Sequence, residues 1–269
     1  MKVVDKATGQ QLCAKFFRRY KKRMIWKEQT IKKEIEILKH LDHPNICKLH
    51  DYFFESNFIY LVIELLEGGD LLDDEFHHCE DRSEKSISII MEQILSAVHY
   101  IHTRKICHRD IKVENILYKD SKLKVVKLID FGCATEFKEG IPLTEQVGTV
   151  YYMAPELLSS NYNEKCDIWS CGVLLNILFT NLPPYTGNSE MEIVDKIKKG
   201  NYNIYQNSLL EKLSDSGKDL LNKMLCNDPK ERPSAWQCLN HEWFLKKKEG
   251  IDLLQFKEAT KEMLDKKPK

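Results

Sequence analysis

The spacing of apolar residues changes character near residue 66. Val3 and Val4 lead into the polar stretch Asp5 to Gln11 around Gly9, and Leu12 to Ala14 resume the apolar run, so this segment reads as strand, turn, strand, closing at Lys15. Between Glu28 and Leu41 the apolar positions Ile31, Ile35, Leu38 and Leu41 recur at helical spacing, and Asp42-His43-Pro44-Asn45 ends the helix. The β-branched and aromatic run Ile59 to Leu66 predicts a buried strand, broken by Glu67-Gly68-Gly69-Asp70. Beyond that break the periodicity is mainly helical: Ser83 to His102, Asp167 to Thr180, Glu190 to Lys199, Ser214 to Leu225 and Ala235 to Leu245. The pattern predicts an α+β chain with a β-rich N-terminal lobe over residues 1–66, a helical C-terminal lobe over 67–245 and a tail over 246–269. A Gly-Gly hinge between two lobes leaves a cleft, where ligand pockets tend to lie.

Composition narrows the partners. Over 269 residues, 41 basic residues balance 41 acidic ones, so no global basic field argues for nucleic acid, and only local lysine clusters point that way. No stretch approaches the roughly eighteen apolar residues of a membrane span, and the first residues lack a signal-peptide apolar region, so no membrane role is expected. The 9 cysteines include no CxxC pair, and a chain of this size needs no disulfide framework. Reduced thiols, and a cytoplasmic or nuclear location, are the expectation. Protein and small-molecule partners remain.

The chemistry concentrates in His108-Arg109-Asp110-Ile111-Lys112-Val113-Glu114-Asn115, followed by Asp130-Phe131-Gly132, Ala154-Pro155-Glu156 and Asp167-Ile168-Trp169-Ser170-Cys171-Gly172. In this order, with a lysine upstream, the motifs resemble those of a protein kinase, and the resemblance covers roughly residues 1 to 245. It implies the bilobal kinase fold, with ATP and Mg²⁺ as the small-molecule requirements and protein substrates. Phosphoryl transfer needs charge neutralised and partners held in line more than it needs covalent chemistry, which is why carboxylates and cations dominate the motifs.

By this likeness Asp110 orients or accepts the substrate hydroxyl proton, Lys112 reaches the transferring phosphate, and Thr149 holds the loop. Asn115 and Asp130 supply hard oxygen ligands for the metal. Lys15 clamps the ATP phosphates and Glu34 is its ion-pair partner; taken singly, each would be read as a solvated surface charge. Cys13 falls over the adenine and Leu117 beneath it, Ile63 is the gatekeeper, and Glu64 to Leu66 offer backbone groups to the ring. Asp70 meets the ribose or a basic substrate residue, and by the same likeness Asp70 and Glu114 favour basic residues N-terminal to the phosphoacceptor. Lys112 and Gly148-Thr149 point to serine or threonine as acceptor. Glu156 is expected to pair with Arg232, and Arg109 with Glu145, a carboxylate standing where many such kinases carry a phosphothreonine. Leu38, Leu49, His108 and Phe131 match the stacked column that links the lobes, with Asp167 beneath it.

Within the family, Asp42-His43-Pro44-Asn45-Ile46, Glu67-Gly68-Gly69-Asp70-Leu71 and Leu239-Asn240-His241-Glu242-Trp243-Phe244 resemble the calmodulin-dependent group, and calcium-dependent protein kinases above all. No EF-hand loop occurs in the sequence, so calcium-sensor regulation is not encoded in it. No glycine precedes Gly9, so the glycine-rich phosphate loop that the family places before the lysine is missing, and Lys2 to Asp5 should lack a partner strand on one side. A fragment, or a weak or inactive isoform, is therefore expected. The alternative function is a pseudokinase-like binding module. In the tail, Ile251, Leu254, Met263 and Leu264 suggest a junction or autoinhibitory helix, or a helix capping the large lobe.

Overall fold

A computed structural model describes residues 1–19, 25–71, 83–120, 125–200, 202–204 and 207–245. The tail expected at 246–269 lies outside the described residues. The N-terminal part is an antiparallel sheet in the order β1-β2-β4-β3, formed by β1 (Lys2–Val4), β2 (Gln11–Arg18), β3 (Leu49–Phe54) and β4 (Phe58–Glu64). Among the described residues β1 pairs only with β2.

Alternation along β2 and β4 sends Cys13, Lys15 and Phe17, with Ile59, Leu61 and Ile63, to one face. Helix α1 (Ile25–Lys39) packs there through Ile31 and Ile35, both buried together with Ile59 and Leu61. Burying each such side chain contributes about 1.5–3 kcal/mol, so the cluster fixes how α1 sits on the sheet. The helix begins at Ile25, upstream of the expected Glu28, and ends at Lys39; Leu41 lies past its end but is still buried.

Strand β4 stops at Glu64, two residues short of the expected Leu66. The chain is drawn off by backbone bonds from Glu67 N to Lys119 O and from Gly68 N to Tyr118 O. Only glycine fits at Gly68, where a Cβ would lie 2.4 Å from Tyr118 Cβ.

The remainder is helical. Helix α2 (Glu84–Thr103) starts at Ser83, whose Oγ accepts from Ser86 N, and buries Ile87, Ile90, Met91, Ile94, Leu95, Val98 and Ile101. Helix α3 (Cys166–Thr180) is apolar on all sides and nearly all of its residues are buried, as a helix at the centre of a core must be. Around these stand the short antiparallel pairs β5 (Ile106–Cys107) with β8 (Thr135–Glu136), and β6 (Ile116–Tyr118) with β7 (Val126–Leu128). Helices α4 (Glu190–Lys199) and α5 (Asp215–Met224) follow. The single helix expected over Ala235 to Leu245 is instead two, α6 (Ala235–Leu239) and α7 (Glu242–Leu245). The side chains at the junction bond to the backbone: Asn240 Nδ2 joins its own N–H on Trp236 O, at 2.8 and 3.1 Å, and His241 Nδ1 accepts from Trp243 N at 3.3 Å, capping the start of α7.

Candidate active site

The catalytic loop leaves β5 at Cys107, turns through His108 and Arg109, and returns through a 3₁₀ turn at Val113–Asn115 into β6. Arg109 is left-handed (φ 68°), a conformation that costs a non-glycine residue about 1–2 kcal/mol unless its surroundings impose it. The imposing group is Asp167 at the start of α3, fully buried. Its Oδ2 accepts from His108 N at 2.8 Å and its Oδ1 from Arg109 N at 2.8 Å, while His102 Nε2 also donates to Oδ2 at 2.8 Å. Burial works against the Asp167 carboxylate, but these donors outweigh it and hold its pKa below the ordinary value. His108 Nδ1 accepts from Asp110 N at 3.3 Å and its Nε2 donates to Ile129 O at 3.2 Å, which makes the ring neutral, in keeping with a pKa that burial lowers.

Three side chains converge on the Asp110 carboxylate. Thr149 Oγ1 donates to Oδ1 at 2.9 Å, Asn115 Nδ2 donates to Oδ2 at 3.0 Å, and Lys112 Nζ stands 3.0 Å from Oδ2 and 2.8 Å from Thr149 Oγ1. Asn115 Nδ2 also holds the Asp110 carbonyl at 2.8 Å. Thr149 can approach this closely because Gly148 (φ 108°) passes over Arg109, where a Cβ would lie 2.4 Å from the Arg109 carbonyl oxygen.

Across the cleft, Lys15 Nζ is 3.4 Å from Glu34 Oε1 on α1 and 3.4 Å from Asp130 Oδ1. Burial disfavours the Lys15 ammonium, yet the two carboxylates outweigh it and its pKa is raised. For Glu34 the balance falls the other way: burial dominates the attraction of Lys15 and the pKa rises. Asp130 is lowered, since Lys15 and the Gly132 N–H, which donates to Oδ1 at 3.2 Å, overcome its desolvation. The lysine therefore stays charged between two carboxylates.

The residues fit a hard divalent ion and a nucleotide. Asn115 commits its Nδ2 to Asp110 and leaves Oδ1 without a hydrogen bond among the described residues, and Asp130 likewise leaves Oδ2. Both are oxygens of the kind such an ion selects. Cys13 faces the cleft opposite Ile63 in the β2–β4 register, and Leu117 of β6 bridges to Asp70 below them. The Leu66 N–H and carbonyl have no partner among the described residues, whereas Glu64 N donates to Lys48 O and the Glu64 carbonyl accepts from the Cys47 thiol at 3.8 Å. Leu66 is thus better placed than Glu64 to donate to an adenine ring. The Glu64 side chain pairs with buried Lys127 at 2.7 Å.

Arg109, its side chain buried, donates from Nη1 to Glu145 Oε2 at 3.0 Å, as the sequence led one to expect. The expectation left out the rest of this cluster. Arg109 also donates to Tyr162 OH at 3.0 Å and from Nε to Cys133 O at 2.7 Å, and Tyr162 OH donates to Glu145 O at 2.6 Å. Lys33 of α1 feels both Arg109 and Glu145 and donates to Thr135 Oγ1 at 2.7 Å. Tyr162 and Lys33 carry no local motif, so only the fold brings them here. His108 and Phe131 meet edge to face at 4.8 Å, with Leu38 buried and Leu49 packed against the same core. Arg232, fully buried, forks onto Glu156 at 2.5 and 3.1 Å. Glu114 is exposed and Asp70 partly so; both, with Asp110, raise the pKa of Tyr152, whose main cause is burial and which is pushed up to about 12.

Comparison with known proteins agrees with this geometry. The family model described as protein kinase domain matches residues 1–244. The chain is 39% identical over 241 residues to calcium-dependent protein kinase 4 of Plasmodium berghei (strain Anka), covering 89% of this chain and 45% of that protein. It is 39% identical over 267 residues to calcium-dependent protein kinase 5 of Plasmodium falciparum (isolate 3D7), covering 99% and 46%. Against calcium-dependent protein kinase 3 of Plasmodium yoelii yoelii it is 42% identical over 224 residues, covering 82% and 41%. The chain spans less than half the length of these relatives, and the shared stretch is the one that carries the loop, the lysine and both carboxylates described above: the chain belongs to the protein kinase domain family.

Proposed function

We propose that this chain transfers the γ-phosphoryl group of ATP to a serine or threonine hydroxyl of a protein substrate. The observation that carries the reading is the Asp110 carboxylate, held by Thr149, Asn115 and Lys112, in a chain that also pairs Lys15 with Asp130. In this role Asp110 Oδ orients the acceptor hydroxyl and receives its proton as the new P–O bond forms and the bond to the β-phosphate oxygen breaks. Lys112 stands beside the same carboxylate and neutralises the charge carried by the transferring group. Lys15, positioned by Glu34, binds the other phosphates. Asn115 and Asp130 would hold Mg²⁺ through their side-chain oxygens, and the ion would supply cationic charge to the phosphate oxygens. Replacing Asp110 with asparagine is expected to lower kcat by at least roughly 10²-fold with nucleotide binding intact. Near-normal turnover by the variant overturns the assignment, and wild-type protein that binds nucleotide but transfers nothing supports a binding module instead.

Substrates with arginine or lysine N-terminal to the acceptor are expected to be preferred. What supports this is that Asp70, Glu114 and Asp110 all act on Tyr152, so three acidic groups lie near one residue beside the loop. Changing Glu114 to glutamine should raise KM for a basic peptide by about 5-fold and leave a neutral peptide unaffected; equal effects on both would sink the preference. No EF-hand loop lies within residues 1–269, so calcium regulation of the kind the relatives' names describe would come from elsewhere or be absent.

A further inference from the structure

We propose that Cys107 and Cys166 are a redox modification site beneath the catalytic loop, closing to a reversible disulfide under a hydroperoxide. The two sulfurs lie 3.6 Å apart although 59 residues separate them in the chain, and both side chains are buried. Asp167 completes a cluster whose ligand atoms all fall within 4.8 Å of one another, which on composition alone would suit a cation. Its oxygens are already taken by His102 Nε2, His108 N and Arg109 N, so the pair is a dithiol and not a metal centre. A disulfide needs the sulfurs about 1.5 Å closer than they stand, at an S–S length of about 2.05 Å. The oxidation balances in two steps. One sulfur attacks the peroxide O–O bond, giving a sulfenic acid and releasing water; the second sulfur then displaces the sulfenic oxygen as a second water, so two thiols and one H₂O₂ give one disulfide and two waters. Burial pushes both thiols' pKa up, so the reaction is slow and passes through local opening of the β5 segment.

The location gives the modification its consequence. Cys107 immediately precedes His108, and Cys166 immediately precedes Asp167, the residue that holds the His108 and Arg109 N–H groups at 2.8 Å. Drawing the two segments together displaces the turn that carries Asp110, and misplacement by about 1 Å can cost on the order of 10²-fold in rate. Lys15, Glu34 and Leu66 lie on other elements, so nucleotide binding should be spared.

The test treats the full chain with hydrogen peroxide and maps linked peptides without reduction, in wild type and in Cys171→Ser, which removes the other cysteine on the tryptic peptide of Cys166. The expected result is a cross-link between the 106–109 peptide and the Cys166 peptide in both proteins. With it, kcat should fall by about 10-fold or more while KM for ATP changes by less than about 2-fold, and dithiothreitol should restore activity. Cys107→Ala and Cys166→Ala should lose both the cross-link and the reversible part of the inhibition. If either variant fails to fold, the wild-type cross-link and its reversal by dithiothreitol still decide. No cross-link at a peroxide dose that oxidises the partly exposed Cys13 or Cys133 overturns the site, and a cross-link with unchanged kcat overturns its effect. The kcat readout rests on the phosphotransfer reading; the peptide map does not, so the two failures are distinguishable.

Discussion

Acid should destabilise this fold through one histidine more than its neighbours. His43 sits in the turn after α1, where its Nδ1 accepts from Asn45 N at 3.1 Å, its Nε2 donates to Ser96 Oγ at 3.2 Å, and its ring lies against Tyr100 at 4.9 Å. The neutral ring satisfies both bonds; a second ring proton would turn Nδ1 against the Asn45 N–H. Burial first, then the charges of Lys127 and Arg104, lower its pKa from 6.5 to about 4. In the unfolded chain the ring takes up its proton as the pH falls through 6.5, whereas in the fold it does so only near 4. The unfolded state therefore binds more protons across that window, and stability is lost as pH falls. Integrated with those two values, acidification from pH 7 to pH 5 costs about 2 kcal/mol, and the full loss below pH 4 is about 3 kcal/mol. At an m-value of about 3 kcal/mol/M, the pH 5 effect moves a urea midpoint by about 0.7 M.

The assay compares urea unfolding of wild type and His43→Gln at both pH values. Glutamine keeps an acceptor and a donor but does not titrate. Whatever it costs at pH 7 is present at pH 5 as well, and His99 and His108, whose burial also lowers their pKa, titrate alike in both proteins. The difference between the two pH-induced losses isolates His43, and it should be about 2 kcal/mol in favour of the variant. Equal losses would refute the reasoning, since they would mean that the folded ring takes up its proton as easily as the unfolded one.

Replacing Glu145 with glutamine removes the charge opposite Arg109. Because that carboxylate is largely exposed and Arg109 keeps Cys133 O and Tyr162 OH, the loss is expected to be about 1 kcal/mol, read as a roughly 5-fold fall in kcat of protein verified as unphosphorylated by mass spectrometry. No change would show that the loop is held without this pair. Glu156→Ala leaves the buried Arg232 guanidinium with only the Cys226 and Lys165 carbonyls and the face of Trp169 among the described residues, so a cost of about 3 kcal/mol and a melting temperature lower by about 6–12 °C are expected by calorimetry. A shift under about 2 °C would mean that those remaining partners suffice.

Elements with strong periodicity were legible in the sequence: the Ile31, Ile35 face of α1, the fully apolar α3 and the Ser83-capped α2 all form where apolar spacing puts them. The errors fall where side chains bond to the backbone at a junction, as Asn240 and His241 do between the last two helices, or where a distant segment draws the chain off, as Tyr118 and Lys119 do at Gly68 and Glu67 beyond Glu64. In the site, residues that belong to contiguous motifs could be named from the sequence, including pairs far apart such as Lys15 with Glu34 and Glu156 with Arg232. Tyr162, His102, Lys33 and the Cys107–Cys166 contact could not, because each acts through a partner that only the tertiary fold supplies.

That division has a physical basis in how the catalytic turn is held. Left-handed backbone at Arg109 and at Asp130 (φ 60°) persists only if surrounding groups impose it. For Arg109 the imposing groups are outside the cleft: the buried Asp167 carboxylate from α3, steadied by His102 from α2, and Gly148 closing from above. For Asp130 they are within it, Lys15 and the Gly132 N–H. Asp110 and Asp130 are thus positioned by different parts of the molecule, one by the helical core and the other by the lysine on the sheet. A disturbance of α2 or α3 should reach Asp110 and spare nucleotide binding, while a disturbance of α1 or β2 should reach Asp130 through Lys15 and weaken the phosphate and metal contacts first. Both arms meet at His108, whose ring lies against Phe131 and whose Nε2 donates to Ile129 O, next to Asp130. Through that neutral, fully buried ring the helical core and the sheet share one geometry.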